Sequence, residues 1–259
     1  MVCSARNKRN RRMVLKIGVG ISTYGRREVF HESIGNVNEY TRDDTVVVIS
    51  DDGSPEGPPD AAGNILLSNP NGGIARNKNR LLANLFLVQS VDVAILLEDD
   101  VRPTVKNWED PWGLVGLING AGFWAVPGLG VWKKNTHMGI GDQCTAQLLV
   151  VSREAWNVVG YFDPRFTGYG FEHCEWQRRL AREGFGGIDR ENKTTYLSYD
   201  FHNVENISAE TTGSQEKIDE MWPIFAACHK DTGWKNAWVD DDDRVKFCQE
   251  AGIDLSVDA

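Results

Sequence analysis

Three consecutive acids, Glu98, Asp99 and Asp100, stand directly behind an apolar run in the segment ILLEDDVRP, residues 95–103. Crowding like charges at the end of a buried segment costs free energy unless a positive charge lies between them. The same tripeptide on a solvated loop would be an ordinary acidic turn. The tripeptide alone leaves open whether a positive group is held here and, if so, which one.

Two further polar clusters stand behind apolar runs. STYGR, residues 22–26, follows VLKIGVGI, and DDGS, residues 51–54, follows TVVVIS. Short apolar runs of this kind predict strands that are buried on both faces. Segments with helical spacing of apolar residues separate them, and this alternation predicts a mostly parallel sheet covered by helices. Ligands bind beyond the carboxyl ends of such strands, so we expect the three polar clusters to meet at one edge.

The predicted fold class is therefore α/β, with a mostly parallel central sheet flanked by helices and a less regular C-terminal part. The Gly-rich segment at residues 121–142 contains two tryptophans and is interpreted as a loop region that lines a cleft. The segment FEHCEWQRRLAREG, residues 171–184, predicts a helix closed by Gly184 as its C-cap.

The chain divides into three regions. Residues 1–12 are basic and lack apolar periodicity, which predicts a disordered arm. Residues 13–208 carry the strand and helix patterns and are predicted to form the main domain. Residues 209–259 are predicted to form helices and loops that pack on the same domain.

Net charge, apolar content and cysteine usage argue against several classes of function. The chain has 259 residues, a net charge of −9 and 41 % hydrophobic residues. The negative charge argues against a sequence-independent grip on nucleic acid, which needs a basic surface. No apolar stretch is long enough to span a membrane, and the amino terminus lacks an apolar signal core. The five cysteines are scattered without metal-ligand spacing, which predicts reduced thiols and a cytoplasmic protein.

The ordered set of motifs resembles the GT-A-fold glycosyltransferases, and most closely the large family-2 type that uses nucleotide-sugar donors. The resemblance covers roughly residues 14–205. It rests on the order and spacing of VGISTYGRREVF, VVVISDDGS, NPNGGIARNKNRLLAN, ILLEDDVRP and VVSREAWNVVGYFDPRFTGYGFEHCEWQRRLAREG.

The resemblance identifies the three acids with the family's DXD element, whose acids bind a divalent metal, Mn²⁺ or Mg²⁺, together with the donor diphosphate. Such hard cations prefer carboxylate oxygens and neutralise charge that grows on a leaving diphosphate. Asp100 is then the direct metal ligand, Glu98 lies closer to the sugar or ribose, and Asp99 belongs to the donor site. His202 resembles a histidine that completes the metal shell in many relatives; the alternative is a structural or surface histidine.

The same resemblance implies the nucleotide contacts. Thr23, Tyr24 and Arg26 are expected to contact the nucleotide, and Asp51 or Asp52 to bind its base or ribose. The alternative for the two aspartates is a plain turn.

GGIARN, residues 72–77, resembles the segment that touches the donor phosphate or sugar. Arg76 can donate two hydrogen bonds to oxygen acceptors, and Asn77 lies beside it. The alternative for Arg76 is a helix-face arginine paired with a surface acid.

The segment GYGFEHCEWQRR, residues 168–179, departs from the family pattern. The usual run is Glu-Asp with an acid two residues later, and in inverting members the Asp is the general base for the acceptor hydroxyl. Here Glu172 is kept, His173 replaces the Asp, and Glu175 keeps the later acid. Imidazole also accepts a proton near neutral pH, so Glu172 and His173 are the candidate catalytic residues. Glu172 could equally favour the dipole at a helix amino terminus.

The sequence therefore predicts a metal-dependent glycosyltransferase that moves a sugar from a nucleotide donor, a UDP-sugar in the first instance, to an acceptor hydroxyl. The acceptor stays open between glycan, lipid, protein and modified nucleic acid. One alternative is a catalytically inactive protein that binds nucleotide sugars or glycans, which the histidine at position 173 favours. A nucleotidyltransferase is a further alternative, but STYGRRE is not the Gly-rich, Lys-bearing loop that it would need after the first strand.

Overall fold

The computed structural model describes residues 15–125, 131–134, 137–141, 145–190, 193–208, 214–228 and 230–257. The predicted arm at residues 1–12 lies outside these ranges. The strands are β1 (Ile17–Thr23), β2 (Val46–Asp51), β3 (Ile65–Ser68), β4 (Val93–Glu98), β5 (Val101–Pro103), β6 (Ala121–Trp124), β7 (Val131–Lys134), β8 (Met138–Gly141), β9 (Leu148–Ser152), β10 (Gly187–Arg190), β11 (Lys193–Tyr199) and β12 (Val204–Asn206). The α-helices are α1 (Arg27–Tyr40), α2 (Ile74–Ala83), α3 (Glu109–Asn119), α4 (Arg153–Val159), α5 (Glu172–Arg182), α6 (Gln215–Cys228) and α7 (Asp241–Glu250).

Ten of the described strands form one central sheet in the order β3-β2-β1-β4-β9-β6-β11-β8-β7, with β10 paired to β11, and β12 pairs with β5 in a separate two-stranded sheet. Pairing is parallel from β3 through β4 and again between β6 and β11. The pairs that join β9 to β4 and to β6 are antiparallel, as are those of the β7–β8 hairpin and its neighbours. The predicted α/β fold with a helix-flanked central sheet is confirmed, and its parallel part is the half that carries the polar strand ends.

Both faces of the sheet are buried, as continuous apolar strands require. In β4, Ile95 and Leu97 face one core, which α1 and α3 complete. Ala94 and Leu96 face the other core, which receives residues of α2 and α4 through α7. The helices α4 through α7 therefore pack on the face of the sheet that α2 covers.

Two glycines in β1 let α2 approach this second face closely. A Cβ atom on Gly18 would lie 2.6 Å from the Leu85 side chain, and one on Gly20 would lie 2.8 Å from Leu96 and 3.2 Å from Leu81. Those separations are shorter than van der Waals contact, so only glycine fits. The close packing brings the first turns of α2 beside the carboxyl ends of β1, β2 and β4.

The loop interpretation of residues 121–142 is wrong where the structure describes them. Ala121–Trp124 forms an inner strand, and Val131–Lys134 pairs with Met138–Gly141 as a hairpin. In the register with β11, Gly141 lies opposite Tyr196 and Gly139 opposite Ser198. These glycines have low intrinsic strand preference, but the ladder bonds to β11 satisfy their backbone groups.

The predicted helix within residues 171–184 is confirmed as α5. It follows Phe171, whose φ is 67°, and it ends before Gly184, whose φ of +87° is readily adopted only by glycine. Among the described residues, no helix is both long enough and apolar enough to cross a membrane. The thiols of Cys174, Cys228 and Cys248 are free.

Candidate functional site

The three polar clusters meet at one edge of the sheet. The parallel register places Thr23 beside Asp51 and Ser22 beside Glu98. A cavity of about 310 Å³ opens there. Its lining residues are Ser22, Thr23, Tyr24, Arg26, Asp52, Asn71, Gly73, Ile74, Asn77, Glu98, Asp99, Thr167, Gly168, Tyr169, Lys217 and Glu220.

The two aspartates behind β4 are buried and share one arginine. Arg26 donates through Nη1 to Asp100 Oδ2 at 3.0 Å and through Nη2 to Asp99 Oδ1. Thr23 Oγ1 donates to Asp99 Oδ2 at 2.8 Å. The positive group that the structure places beside these two aspartates is therefore the Arg26 guanidinium.

One arginine does not offset the burial of these acids. Burial raises the pKa of Asp99, and the neighbouring acids add to it, so the value reaches about 7 in spite of Arg26 and Thr23. Burial and the charge of Glu98 likewise raise the pKa of Asp100. Burial lowers the pKa of Arg26, but Asp99 and Asp100 more than offset it and the net pKa is raised. More positive charge at this point would lower the pKa of both aspartates.

The residues fit a divalent cation. Asp100 is 4 % exposed, and its Oδ1 atom has no hydrogen-bond partner among the described residues. A buried acceptor without a partner is costly, and a carboxylate oxygen is a ligand that Mn²⁺ and Mg²⁺ prefer. Asp100 could bind such an ion through its carboxylate, with Glu98 and Asp99 beside it.

Lys78 is a cation of the site that the sequence analysis missed. Its ammonium, 1 % exposed, donates to Glu98 Oε1 at 2.9 Å and to the Ala146 carbonyl at 3.4 Å. The sequence did carry a signal: Lys78 lies four residues after Ile74 and three before Leu81, which places it on the apolar side of α2. A lysine on that side has to find a buried acid.

Asp51 and Asp52, at the carboxyl end of β2, hold two different loops, and Asp52 holds the one that precedes α2. Asp51 accepts from the Ser54 hydroxyl and backbone amide. Asp52 accepts from the Gly72 and Gly73 amides at 2.8 and 2.9 Å and from Arg80 at 2.8 Å. Burial raises the pKa of Asp52 above its usual range even with these donors. Of the two, only Asp52 lines the cavity.

Arg76 and Asn77 point in different directions. Arg76 donates to Glu250 at 2.7 Å and to Asp243 at 2.8 Å, both on α7, and it does not line the cavity. Asn77 lines the cavity and donates to the Ser50 carbonyl at 3.0 Å. The helix-face ion pair that the sequence left open for Arg76 matches these contacts.

The structure does not bring His202 to Asp100. β12 pairs antiparallel with β5, so the Ile207 amide donates to the Asp100 carbonyl at 2.8 Å while the Thr104 amide donates to the Asn203 carbonyl. Asn203 and Ile207 are four residue steps apart, about 13 Å along an extended chain, and His202 lies one residue further away. Its side chain is exposed. The ladder register, which the sequence does not reveal, makes the expected histidine ligand remote from the acids.

Glu172 and His173 form a pair at the start of α5. His173 Nδ1 lies 3.1 Å from Glu172 Oε1, and its Nε2 lies 3.4 Å from the Cys174 sulfur. Burial raises the pKa of Glu172, but the attraction and hydrogen bond of His173 and the charge of Lys78 outweigh it, leaving a value of about 2. The pKa of His173 is raised: burial lowers it, while Cys174 and Glu172 favour the imidazolium.

Glu172 has a free acceptor atom. Its side chain is buried, and Oε2 has no hydrogen-bond partner among the described residues. Neither Glu172 nor His173 lines the cavity. Lys78 connects Glu172 to the acids behind β4, because it binds Glu98 and its charge favours the ionised form of Glu172.

A second acidic cluster lies behind α5. Its ligand atoms lie within 4.8 Å of one another and belong to Asp163, Glu175, Cys228 and Asp231. The Lys235 ammonium binds all three carboxylates of this set. Arg165 binds Asp163, and Arg179 binds Glu175 at 2.6 Å. Three cations thus face three carboxylates, and the cluster is a neutral structural network.

Five lining residues of the cavity come from the second half of the chain and were also missed. Thr167, Gly168 and Tyr169 precede α5, and Lys217 and Glu220 lie on α6. The sequence offered no signal for the α6 pair, because the apolar pattern weakens after residue 209.

Comparisons with known proteins bear on the fold. Neither a protein-family model nor a curated protein sequence matches the chain. Among solved structures, GalNAc-T7 with UDP, GalNAc and Mn²⁺ matches with a TM-score of 0.57 at 13 % identity, over 93 % of this chain and 55 % of that one. The mannosyltransferase PcManGT from Pyrobaculum calidifontis, in complex with GDP-Man and Mn²⁺, matches with a TM-score of 0.50 at 16 % identity. That match covers 68 % of this chain and 54 % of the mannosyltransferase.

TarS from S. aureus matches with a TM-score of 0.50 at 12 % identity, over 71 % of this chain and 37 % of TarS. The chain thus spans between about a third and about half of the length of these proteins. At these identities the likeness concerns architecture. The fold of the chain is that of GT-A-like glycosyltransferases, as the motif order predicts.

Proposed function

We propose that the protein transfers a sugar from a nucleotide-sugar donor, a UDP-sugar in the first instance, to an acceptor hydroxyl with the help of Mn²⁺ or Mg²⁺. The observation that carries the proposal is the buried acid cluster at the carboxyl end of β4, whose Glu98 and Asp99 line the cavity. The Asp100 oxygen without a partner supports a cation ligand at the same place. Two proteins of similar fold were solved with Mn²⁺ and a nucleotide or nucleotide sugar.

The donor side of the cavity follows from this assignment. Asp100 would hold the metal with Glu98 and Asp99 beside it, and the bound ion would neutralise charge on the leaving diphosphate. Thr23, Tyr24 and Arg26 are the nucleotide contacts from the end of β1. All three line the cavity.

Asp52 and Asn77 extend the donor site toward α2, and both line the cavity. The C-terminal end of β2 and the first turns of α2 would therefore border the nucleoside. Arg76 is left out of this set, since its guanidinium binds acids of α7.

On the acceptor side, Glu172 is the assigned base. It is ionised at neutral pH, and its buried Oε2 atom has no hydrogen-bond partner among the described residues, so this oxygen is the candidate acceptor of the hydroxyl proton. His173 is a positioning residue, because the raised pKa keeps its ring protonated and bonded to Oε1. An imidazolium cannot accept a further proton, so His173 does not replace the aspartate of the family pattern as base.

The proposal includes the division of the chain. Residues 13–208 would form the catalytic domain, and residues 209–259 an extension on it. Lys217 and Glu220 of that extension reach the cavity, which supports a role in binding donor or acceptor.

The test is the thermal stability of the protein with UDP, with and without Mn²⁺. A ligand at about 100 times its dissociation constant stabilises the folded state by about 2.7 kcal/mol. Asp100→Asn should remove the Mn²⁺-dependent part of this gain, and Asp110→Asn, an exposed acid on α3 paired with Arg42, should keep it. Full Mn²⁺-dependent stabilisation of a folded Asp100→Asn protein would refute the metal assignment.

Hydrolysis of the donor separates an enzyme from an inactive binding protein. The wild-type protein should release UDP slowly from a UDP-sugar in the presence of Mn²⁺ without an acceptor. Binding of UDP and Mn²⁺ without hydrolysis or transfer would favour the inactive binding protein.

A further inference from the structure

We propose that the Arg26 guanidinium is a placeholder for the divalent cation: it neutralises Asp99 and Asp100 in the free protein, leaves them when the ion binds, and then donates to the donor diphosphate. The inference deepens the proposed function and rests on it. On this proposal Arg26 competes with the metal ion for Asp99 and Asp100 before the nucleotide binds, and it donates hydrogen bonds to the nucleotide in the complex.

The first support is the geometry of the contact. Arg26 uses one nitrogen for each aspartate, with Asp100 Oδ2 at 3.0 Å from Nη1. A guanidinium that bridges two carboxylates occupies the position from which a cation would bind both. The remaining oxygen of Asp100 stays without a partner among the described residues, so the arginine satisfies this carboxylate only in part.

The second support is the position of Arg26 relative to solvent. Its side chain is 18 % exposed, against 1 % for Asp99 and 5 % for Asp100. The guanidinium therefore lies on the cavity side of the carboxylates, and Arg26 lines the cavity. It can leave the acids by rotation of its side chain without any change in the sheet.

The third support is the backbone that carries Arg26. It follows Gly25, whose φ of +64° is in the region that favours glycine, and a Cβ atom there would meet nothing nearer than Pro55 Cδ at 3.8 Å. The carbonyl of Arg26 accepts from the Phe30 amide at 2.9 Å in the first turn of α1. The main chain is thus fixed by the helix, and a long side chain in an open loop corner remains the movable part.

The fourth support is charge. A divalent cation and a guanidinium repel each other, and both cannot be held between two carboxylates at contact distance. A diphosphate offers the displaced guanidinium paired oxygen acceptors, which arginine binds with two parallel hydrogen bonds. The nucleotide would therefore help the ion to enter by giving Arg26 another partner.

The experiment measures Mn²⁺ binding directly, by the electron paramagnetic resonance signal of free Mn²⁺, in the absence of any nucleotide. Arg26→Gln should bind Mn²⁺ about tenfold more tightly than the wild-type protein. Arg27→Gln is the matched control, because it removes the same charge one residue away from a side chain that donates to the Glu56 and Gly57 carbonyls. It should leave Mn²⁺ affinity unchanged.

The second arm measures UDP binding by calorimetry at saturating Mn²⁺. Arg26→Gln should bind UDP about tenfold more weakly than the wild-type and Arg27→Gln proteins, because the diphosphate loses a charge-assisted partner. Arg26→Lys keeps the charge but cannot donate two parallel hydrogen bonds. Its affinities for Mn²⁺ and for UDP should therefore lie between those of the wild-type and Arg26→Gln proteins. The opposite direction of the two effects distinguishes a placeholder from a residue that merely supports the fold.

Weaker or unchanged Mn²⁺ binding by Arg26→Gln would overturn the inference, as would unchanged UDP affinity. These outcomes are separate from failure of the proposed function. If no variant binds UDP with Mn²⁺, the function itself is refuted. If wild-type protein binds UDP with Mn²⁺ but Arg26→Gln matches it in both arms, only the placeholder role is refuted.

Discussion

Glu172 and His173 illustrate how two neighbouring side chains set each other's charge. The carboxylate favours the imidazolium, and the imidazolium keeps the carboxylate ionised in spite of its burial. A base has to reach the acceptor proton within about 3 Å, directly or through one water. Of the two residues, only Glu172 combines an oxygen without a hydrogen-bond partner among the described residues with the ionised form that a base needs, and its low pKa makes it a weak base.

We therefore predict that Glu172→Gln abolishes sugar transfer while donor binding is kept. His173→Gln should reduce turnover about tenfold or less, because it removes a positioning contact and leaves the acceptor oxygen. Turnover with saturating donor and UDP affinity by calorimetry measure the two effects. An inactive His173→Gln protein beside an active Glu172→Gln protein, with an acid limb of the rate profile near pH 6 to 7, would make His173 the base.

The same pair predicts how stability depends on pH. The folded pKa of His173 is raised above the unfolded value of 6.5, so its contribution is complete below about pH 6.5 and is lost as the pH rises through the folded pKa. The pKa of Glu172 falls from 4.5 to about 2, so its contribution is present above about pH 4.5 and is lost as the pH falls toward 2.

Urea unfolding of the wild-type protein and of His173→Gln between pH 6 and 9 tests the histidine part. The difference in unfolding free energy between the two should shrink as the pH rises, since the imidazolium is then lost. His31→Gln, a change of an exposed histidine on α1, controls for general effects of histidine removal. A difference that stays constant over this range would show that the ring is neutral in the folded protein.

At the scale of elements, the strands were predictable because each parallel strand is a continuous apolar run that ends in polar residues. Thr23, Asp51 and Glu98 follow this pattern, and the parallel register brings them to one edge without further information. The α5 helix was predictable from its spacing and from Gly184. These patterns are local, so a strand or helix can be predicted from them without knowledge of contacts elsewhere in the chain.

Elements that depend on distant pairing were not predictable. The β7–β8 hairpin forms because β11 supplies hydrogen bonds to a Gly-rich segment. The distance of His202 from Asp100 depends on how β12 aligns with β5. The partner of Arg76 lies 174 residues further along the chain, at Glu250. A single sequence gives no signal for contacts of this separation.

At the scale of the whole molecule, α7 closes the structure around α2. Glu250 accepts from Arg76 at 2.7 Å and from Arg80 at 2.9 Å. Arg80 is 1 % exposed and also donates to Asp52, which holds the loop at the cavity. A line of contacts thus runs from the C-terminal helix to the wall of the candidate donor site.

Removing the Glu250 contacts with Arg76 and Arg80 should lower both the free energy of unfolding and the affinity for UDP. Burial raises the pKa of Glu250, but Arg76 and Arg80 outweigh it and the pKa is lowered, so the residue is ionised at neutral pH. Glu250→Gln removes that charge and leaves a buried guanidinium undercompensated, which should cost about 3 kcal/mol of unfolding free energy. Gln249→Ala, on the exposed side of the same helix, should change it by less than about 0.5 kcal/mol.

Urea unfolding measures the stability difference, and calorimetry measures the affinity for UDP at saturating Mn²⁺. In folded Glu250→Gln protein the affinity for UDP should fall, because Arg80 then holds Asp52 less firmly. Asp52 in turn accepts from the Gly72 and Gly73 amides at the edge of the cavity. The Gln249→Ala protein should bind UDP as the wild type does. If Glu250→Gln is as stable as the control, the α7 contact is a surface pairing with no role in the core. If it is destabilised but binds UDP with unchanged affinity, the C-terminal helix supports the fold without shaping the donor site.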